Sequence, residues 1–221
     1  MARQSAQPGP DQRSGQRFTL LLRVAKLVTA QGEFLCVLRD VSDRGIKAKL
    51  FHNLTVTELC LLDLGGGERH RLDLVWQRDG HAGFRFADGP IAVERLIEEA
   101  GLFPKRHLRL ALVRPVPVLL SGGGLALPAQ LVDLSQHGAA VALDQRLALG
   151  RLLRIEAPQL PALHARVRWR RGGLHGLVFQ EGFRLDVLAQ LAGQLQLPAL
   201  DRFPAVDDAL NLKIRPALTT D

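Results

Sequence analysis

Tyrosine is absent from the 221 residues, and all aromatics together make up 5%. That is thin for a surface that stacks successive bases of single-stranded nucleic acid. Cysteine is nearly as scarce, with only Cys36 and Cys60. Neither belongs to a Cys-x-x-Cys pair, and no Cys/His group has zinc-site spacing. The two thiols read as reduced, in a cytosolic protein of bacterial type. No apolar run reaches the about 18 residues of a membrane span. The opening stretch, MARQSAQPGPDQRSGQR, is polar and lacks the apolar centre of a secretory signal. The glycine runs at 65–67 and 122–124 are not followed by Lys-Ser/Thr, so neither is a Walker loop, and both read as hairpin turns. A nucleophile elbow, a metal cluster and a carboxylate pair are all missing from the pattern, so no enzyme is expected.

What is present is ordinary in amount and uneven in placement. Hydrophobic residues make up 47% and charged residues 23%, as in globular proteins. The formal net charge is +7. Residues 1–103 carry +1 of it and residues 104–221 carry +6. A basic second half suits phosphate-bearing or acidic partners, and equally a solvated surface.

The chain repeats itself. An offset of 93 joins Asp40 to Asp133, Ser42 to Ser135, Gly45 to Gly138, Trp76 to Trp169, Gly83 to Gly176 and Phe86 to Phe179. Both tryptophans fall at equivalent places, so the chain is two copies of one module. Each copy holds six short apolar stretches separated by turn residues, from FTLLLRVAKLV to HAGFRFA and from RLALVRPVPVLL to HGLVFQE. The expected class is mainly β: two tandem six-stranded antiparallel barrels, each followed by an α-helix. The helices are GPIAVERLIEEAG and FRLDVLAQLAGQLQL, and the boundaries are 1–103, 104–197 and a tail at 198–221. Pro115 and Pro117 belong at an edge or a bulge. Trp76 and Trp169 read as barrel-core residues.

The stretch DVSDRG at 40–45 returns as DLSQHG at 133–138. Upstream of the first, RSGQR places Arg13 and Arg17 four apart. Arg-x-x-x-Arg before a barrel and Asp-x-Ser-x-x-Gly within it resemble the PilZ domain family. Trp76, Gly83 and Phe86 are similar to that family's last strands. The resemblance implies two PilZ-like barrels that bind the bacterial second messenger cyclic di-GMP, with no other cofactor. It assigns the first site to Arg13, Arg17, Asp40, Ser42 and Gly45.

The residue types suit such a ligand. One arginine fork matches guanine O6 and N7, and another grips a phosphate. Guanidinium planes stack on purines. Asp40 accepts from the guanine N–H edge, Ser42 orients it or bonds the ligand, and Gly45 permits the turn and a close backbone approach. The bland reading leaves RSGQR a solvated tail and Asp40 and Ser42 hairpin caps.

The second copy keeps Asp133, Ser135 and Gly138, but its arm reads PKRHLRL. At offset 93 Arg106 meets Arg13 and Leu110 meets Arg17. By arginine spacing, Lys105 stands for the first arginine and Arg109 for the second. Lysine offers no planar fork, so this site is weakened or has lost the ligand. ARVRWRR puts Arg166, Arg168 and Arg170 on one strand face, an output surface or a solvated one. The expected function is a cyclic di-GMP receptor that changes domain arrangement or meets a protein partner, with a homodimer compatible. The alternative is a basic barrel pair that adapts nucleic acid or protein, its ligand sites degenerate.

Overall fold

Period-2 apolar patterning builds several of the described strands, such as Gly45–Lys49, Leu110–Gly122 and Leu160–Arg171, and turn residues divide them. The computed structural model describes residues 18–54, 60–65, 67–97, 108–197 and 215–216. Strands β1 (Phe18–Thr29), β2 (Gly32–Val41), β3 (Gly45–Lys49), β4 (Cys60–Asp63), β5 (Arg69–Arg78) and β6 (His81–Phe86) form the first unit. Their bonded order is β1-β2-β3-β6-β5-β4, and β4 pairs back onto β1 to close a barrel. Strands β7 (Leu110–Gly122), β8 (Leu125–Ser135), β9 (Gly138–Ala142), β10 (Leu152–Ala157), β11 (Leu160–Arg171) and β12 (Leu174–Phe179) repeat that order and close by β10 on β7. The two six-stranded antiparallel barrels expected from the repeat are both present. The β7–β8 hairpin turns on Gly123 and Gly124, with φ of 56° and 78°, where glycine alone is unstrained.

Inward side chains fill each barrel. Phe34, Cys36 and Leu38 of β2 meet Leu62 of β4 and Phe84 of β6. Cys36 and Cys60 are free thiols in this core. Short helix α1 (Val93–Ile97) adds Val93 and Leu96. In the second barrel Leu120, Leu131, Ile155 and Phe179 occupy the equivalent interior. Pro115 falls in the irregular stretch between Ala111 and Val116, as a residue without an N–H requires. Beyond the barrel, β13 (Glu181–Gly182) pairs with β14 (Arg215–Pro216), the only described part of the tail.

Helix α2 (Leu185–Gln196) joins the two units. Its buried Leu188, Leu191 and Ala192 pack on the second barrel's cluster. Leu35 alternates with Phe34 and Cys36 and so faces away from its own core. It is nevertheless 1% exposed, because it enters the second barrel's cluster. Leu197, directly after α2, enters the first barrel's cluster in return. The barrels are thus wedged together by α2 against β2 and β7.

His52 lies beneath that wedge. It is 2% exposed, and a Cβ on Gly193 of α2 would sit 3.6 Å from its own Cβ. Its ring packs on Phe34 at 4.3 Å, and among the described residues neither ring nitrogen has a partner. Burial pushes the imidazole from its ordinary 6.5 down to about 4. The unfolded chain therefore binds more protons than the folded one between those values, and stability falls as pH drops through that window. The full effect is roughly 3 kcal/mol, from the shift and about 1.36 kcal/mol per unit. Thermal melts from pH 7 to 4.5 are expected to lose stability, and His52→Leu is expected to flatten that dependence.

Candidate functional site

Four bulges, at equivalent places in the two barrels, set the orientation of the motif residues. In β2 the register shifts between Leu38 and Asp40, and in β8 between Leu131 and Asp133. Leu38 and Leu131 point into their cores. Simple alternation would then bury Asp40 and Asp133 as well. The extra residue, Arg39 or Val132, turns the carboxylates to the outer face. Strands β5 and β11 repeat the device, with shifts between Leu74 and Trp76 and between Val167 and Trp169.

The tryptophans consequently stand outside, which corrects their assignment to the cores. Trp76 is half-buried and Trp169 is 39% exposed. Each indole lies over the glycine paired across from it, Gly83 or Gly176, where a Cβ would collide with the ring nitrogen. A glycine seven residues after a tryptophan, across a hairpin, was the signal for this packing. Arg78 adds a guanidinium 5.4 Å from the Trp76 ring.

Serine and glycine of the motif build the turn. Ser42 Oγ accepts from the Gly45 N–H at 3.2 Å and faces the Gly45 carbonyl at 3.3 Å, while the Ser42 N–H donates to that carbonyl at 2.9 Å. Ser135 Oγ donates to the Gly138 carbonyl at 3.0 Å and is buried. Neither Gly45 nor Gly138 has a positive φ. The turn conformation does not need glycine. The close approach does, because a Cβ would strike the Phe84 or Leu177 carbonyl oxygen. Asp40 and Asp133 make none of the turn's bonds, so they are not its caps.

Register lines these residues up across the sheet. Asp40 pairs with Lys47, Lys47 with Gly83, and Gly83 with Trp76. The second barrel runs Asp133, Ala140, Gly176 and Trp169 in the same way. Each row spans three strand spacings, roughly 14 Å. A cleft of about 260 Å³ opens on the first row, lined by Asp40, Ser42, Arg44, Lys47 and Trp76 among others. Lys47 lies 4.0 Å from the Asp40 carboxylate, a contribution that nothing in the motif announces.

Strands β1 and β7 border these rows, and the arms precede them in sequence. Arg13, Arg17, Lys105 and Arg106 lie outside the described residues. Pairing of the strands that follow gives the local sequence offset. Thr19 faces Asp40 and Ala111 faces Asp133, so the offset here is 92. The extra residue lies in the irregular stretch of β7 before Val116. At that offset Arg109 aligns in sequence with Arg17, and Lys105 with Arg13. Arg109 donates to Asp133 Oδ1 at 2.7 Å. The arginine stripe of β11 is divided by its bulge, which corrects the expectation of one face. Arg166 and Arg168 are exposed, whereas Arg170 turns back and donates to the Leu147 carbonyl at 2.7 Å.

Among the described residues, no cluster of three or more His, Cys, Asp or Glu side chains is placed to hold a metal, and no helix is long and apolar enough to cross a membrane. The PilZ domain family model matches residues 105–196. That match spans the second barrel, and the first barrel repeats its strand order, bulges and turn. Among solved structures the chain is similar to Borreliella burgdorferi PlzA in complex with c-di-GMP, at 12% identity and TM-score 0.34, covering 77% of this chain and 87% of that one. It is also similar to the Bacillus subtilis inhibitor of motility, MotI/DgrA, at 11% and 0.33, covering 79% and 97%. For Escherichia coli YcgR in complex with c-di-GMP the values are 14% and 0.25, covering 78% and 80%. Such loose superpositions carry no residue role across. No curated protein matches the chain.

A methyl group at Gly176 has no room beneath Trp169. Gly176→Ala is expected to lift the indole into water, shift Trp169 emission to longer wavelength and cost about 1–3 kcal/mol in denaturant unfolding. Trp76→Phe as background leaves Trp169 the only emitter.

Proposed function

We propose that the chain is a cytosolic receptor for cyclic di-GMP and acts by binding rather than by catalysis. The observation that carries this reading is the duplicated outer row. In it a carboxylate, a small or basic residue and a glycine-backed indole lie in line, and in the second row Arg109 stands at the carboxylate end. The PilZ match over residues 105–196 agrees with it.

Each group has a task that follows from its chemistry. Asp40 and Asp133 accept from guanine N–H donors. Trp76 and Trp169 offer π-faces to a base, a contact of about 1–3 kcal/mol. Arginine forks take guanine O6 and N7 or a phosphate. Arg17 and Arg109 hold the equivalent arm position, with Arg13 and Lys105 four residues before them. Lys47 adds a phosphate-neutralising charge that Ala140 cannot. Ser42 and Ser135 act through the turn, and Gly45 and Gly138 through the approach of β6 and β12.

The output follows from the joint. The second arm enters β7 beside the first barrel, so a ligand that gathers the arms bears on how the barrels meet. Exposed Arg166 and Arg168 are available to an acidic protein partner.

Calorimetric titration with cyclic di-GMP tests the reading. Asp40→Ala and Asp133→Ala are each expected to weaken their own site by roughly ten- to a hundredfold, the loss of charged hydrogen bonds worth about 1.5–3 kcal/mol. Quenching of the two tryptophans reports the same event. Binding of a random oligonucleotide that falls steeply with salt, with no response to cyclic di-GMP, would favour the nucleic-acid adaptor instead.

Small-angle scattering tests the output. Saturating ligand is expected to change the distance distribution of the two-barrel particle or its association. An unchanged profile at saturation sinks the rearrangement and leaves a simple receptor.

A further inference from the structure

The first stretch of β7 presents one edge to β8 and the other to the first barrel. On that second edge the bonding groups of Arg109, Ala111 and Val113 are met by side chains. Glu33 Oε2 accepts from the Ala111 N–H at 2.9 Å. Lys26 Nζ donates to the Arg109 carbonyl at 3.2 Å and to Glu33 Oε2 at 2.9 Å. Gln196 Oε1, at the end of α2, accepts from the Val113 N–H at 3.3 Å, while its Nε2 donates to the Glu33 carbonyl at 3.0 Å.

The lysine of this clamp is buried and anchored, whereas the edge of β7 that it meets is exposed. Lys26 is 9% exposed and lies 3.6 Å from Asp63, which Arg69 contacts in turn at 3.2 Å. A lysine held this way sacrifices its hydration, so its direction is fixed by its partners. The repeat does not supply it. Leu119 and Ala126 stand where Lys26 and Glu33 stand in the first barrel. The groups it holds are the backbone of Arg109, whose guanidinium reaches Asp133, and of Ala111, which pairs with Asp133 across the ladder.

We infer that the first barrel completes the second ligand site, with Lys26 and Glu33 as positioning residues that aim Arg109 at the row of Asp133 and Trp169. The inference rests on the receptor reading above and adds a dependence that the PilZ module alone does not have. Lys26 and Glu33 touch no ligand. They fix the backbone from which the arginine fork springs, and a fork gains its affinity from direction.

The test is a double-mutant cycle on the full chain, titrated with cyclic di-GMP in an Asp40→Ala background so that the second site alone is read. Glu33→Ala is expected to weaken binding at least tenfold, and Glu33→Gln, which keeps an acceptor for Ala111, to restore much of it. In an Arg109→Ala background the same Glu33→Ala change is expected to add nothing, a result that general loosening would not give. Gln196→Ala, at the rim of the clamp, gives a smaller loss in the same direction and serves if Glu33→Ala melts early. Undiminished affinity in Glu33→Ala and Gln196→Ala overturns the inference. So does equal loss with and without Arg109. If the Asp40→Ala protein binds nothing while the unmutated chain binds, the second site is not one and the inference falls, but the receptor reading stands. If the unmutated chain binds nothing, both fall.

Discussion

Side chains on a strand alternate, so one inserted residue reverses the facing of everything beyond it. The outer row of both barrels depends on that parity. Leu38 and Val41 are both core residues, as are Leu131 and Leu134, and three steps separate the members of each pair. An even period cannot deliver both to one side without a bulge. The bulge therefore serves the core, and the carboxylate just after it is thrown outward as a consequence. The same reversal in β5 and β11 brings the indole out at the other end of the row. Glycine on β6 and β12 is then required, because an indole lying flat on the sheet leaves no volume beneath it. Carboxylate, indole and glycine are thus three results of one local rule applied twice per barrel.

The joint between the barrels follows from a different constraint. A strand pairing on one side only has a row of donors and acceptors still to satisfy, and leaving them buried and unmet is costly. The start of β7 lies at such an edge. A strand laid against it would fix geometry without charge. Lys26, Glu33 and Gln196 meet it instead with side chains, which makes the fit dependent on a few ions and amides. Beside them Leu35 supplies apolar contact to the second barrel, and Leu197 supplies it to the first. The apolar part holds the units together, and the polar part sets their register.

The architecture was legible because repetition and alternation are properties of residue order. The offset of 93 located both modules, and six apolar stretches per copy became six strands. Parity defects are harder to read, because a bulge leaves no composition signature. Simple alternation therefore put the tryptophans inside and Arg166, Arg168 and Arg170 on one face. The arms were ambiguous for a related reason. Offset 93 and arginine spacing disagreed over Arg106 and Arg109, and only the pairing of Ala111 with Asp133 places the extra residue within β7. Lys47 was invisible because a lysine on a strand is ordinarily a solvated one. Its meaning comes from the neighbours that register gives it.

Duplication gives two copies of a row, and their differences lie at the carboxylate. In the first barrel the cation beside the motif aspartate stands on the adjacent strand, Lys47 at 4.0 Å. In the second, Ala140 leaves that place empty of charge, and the cation comes from the arm, Arg109 at 2.7 Å. A cation on a strand is carried by its own barrel. A cation on an arm is only as well placed as whatever holds the arm, and here that is the neighbouring barrel. Among the described residues, the cation at the first carboxylate is thus carried by its own barrel, whereas the one at the second is conditional on the joint. Two modules of one design differ in this way without any change in fold, because the difference is where a single positive charge is anchored.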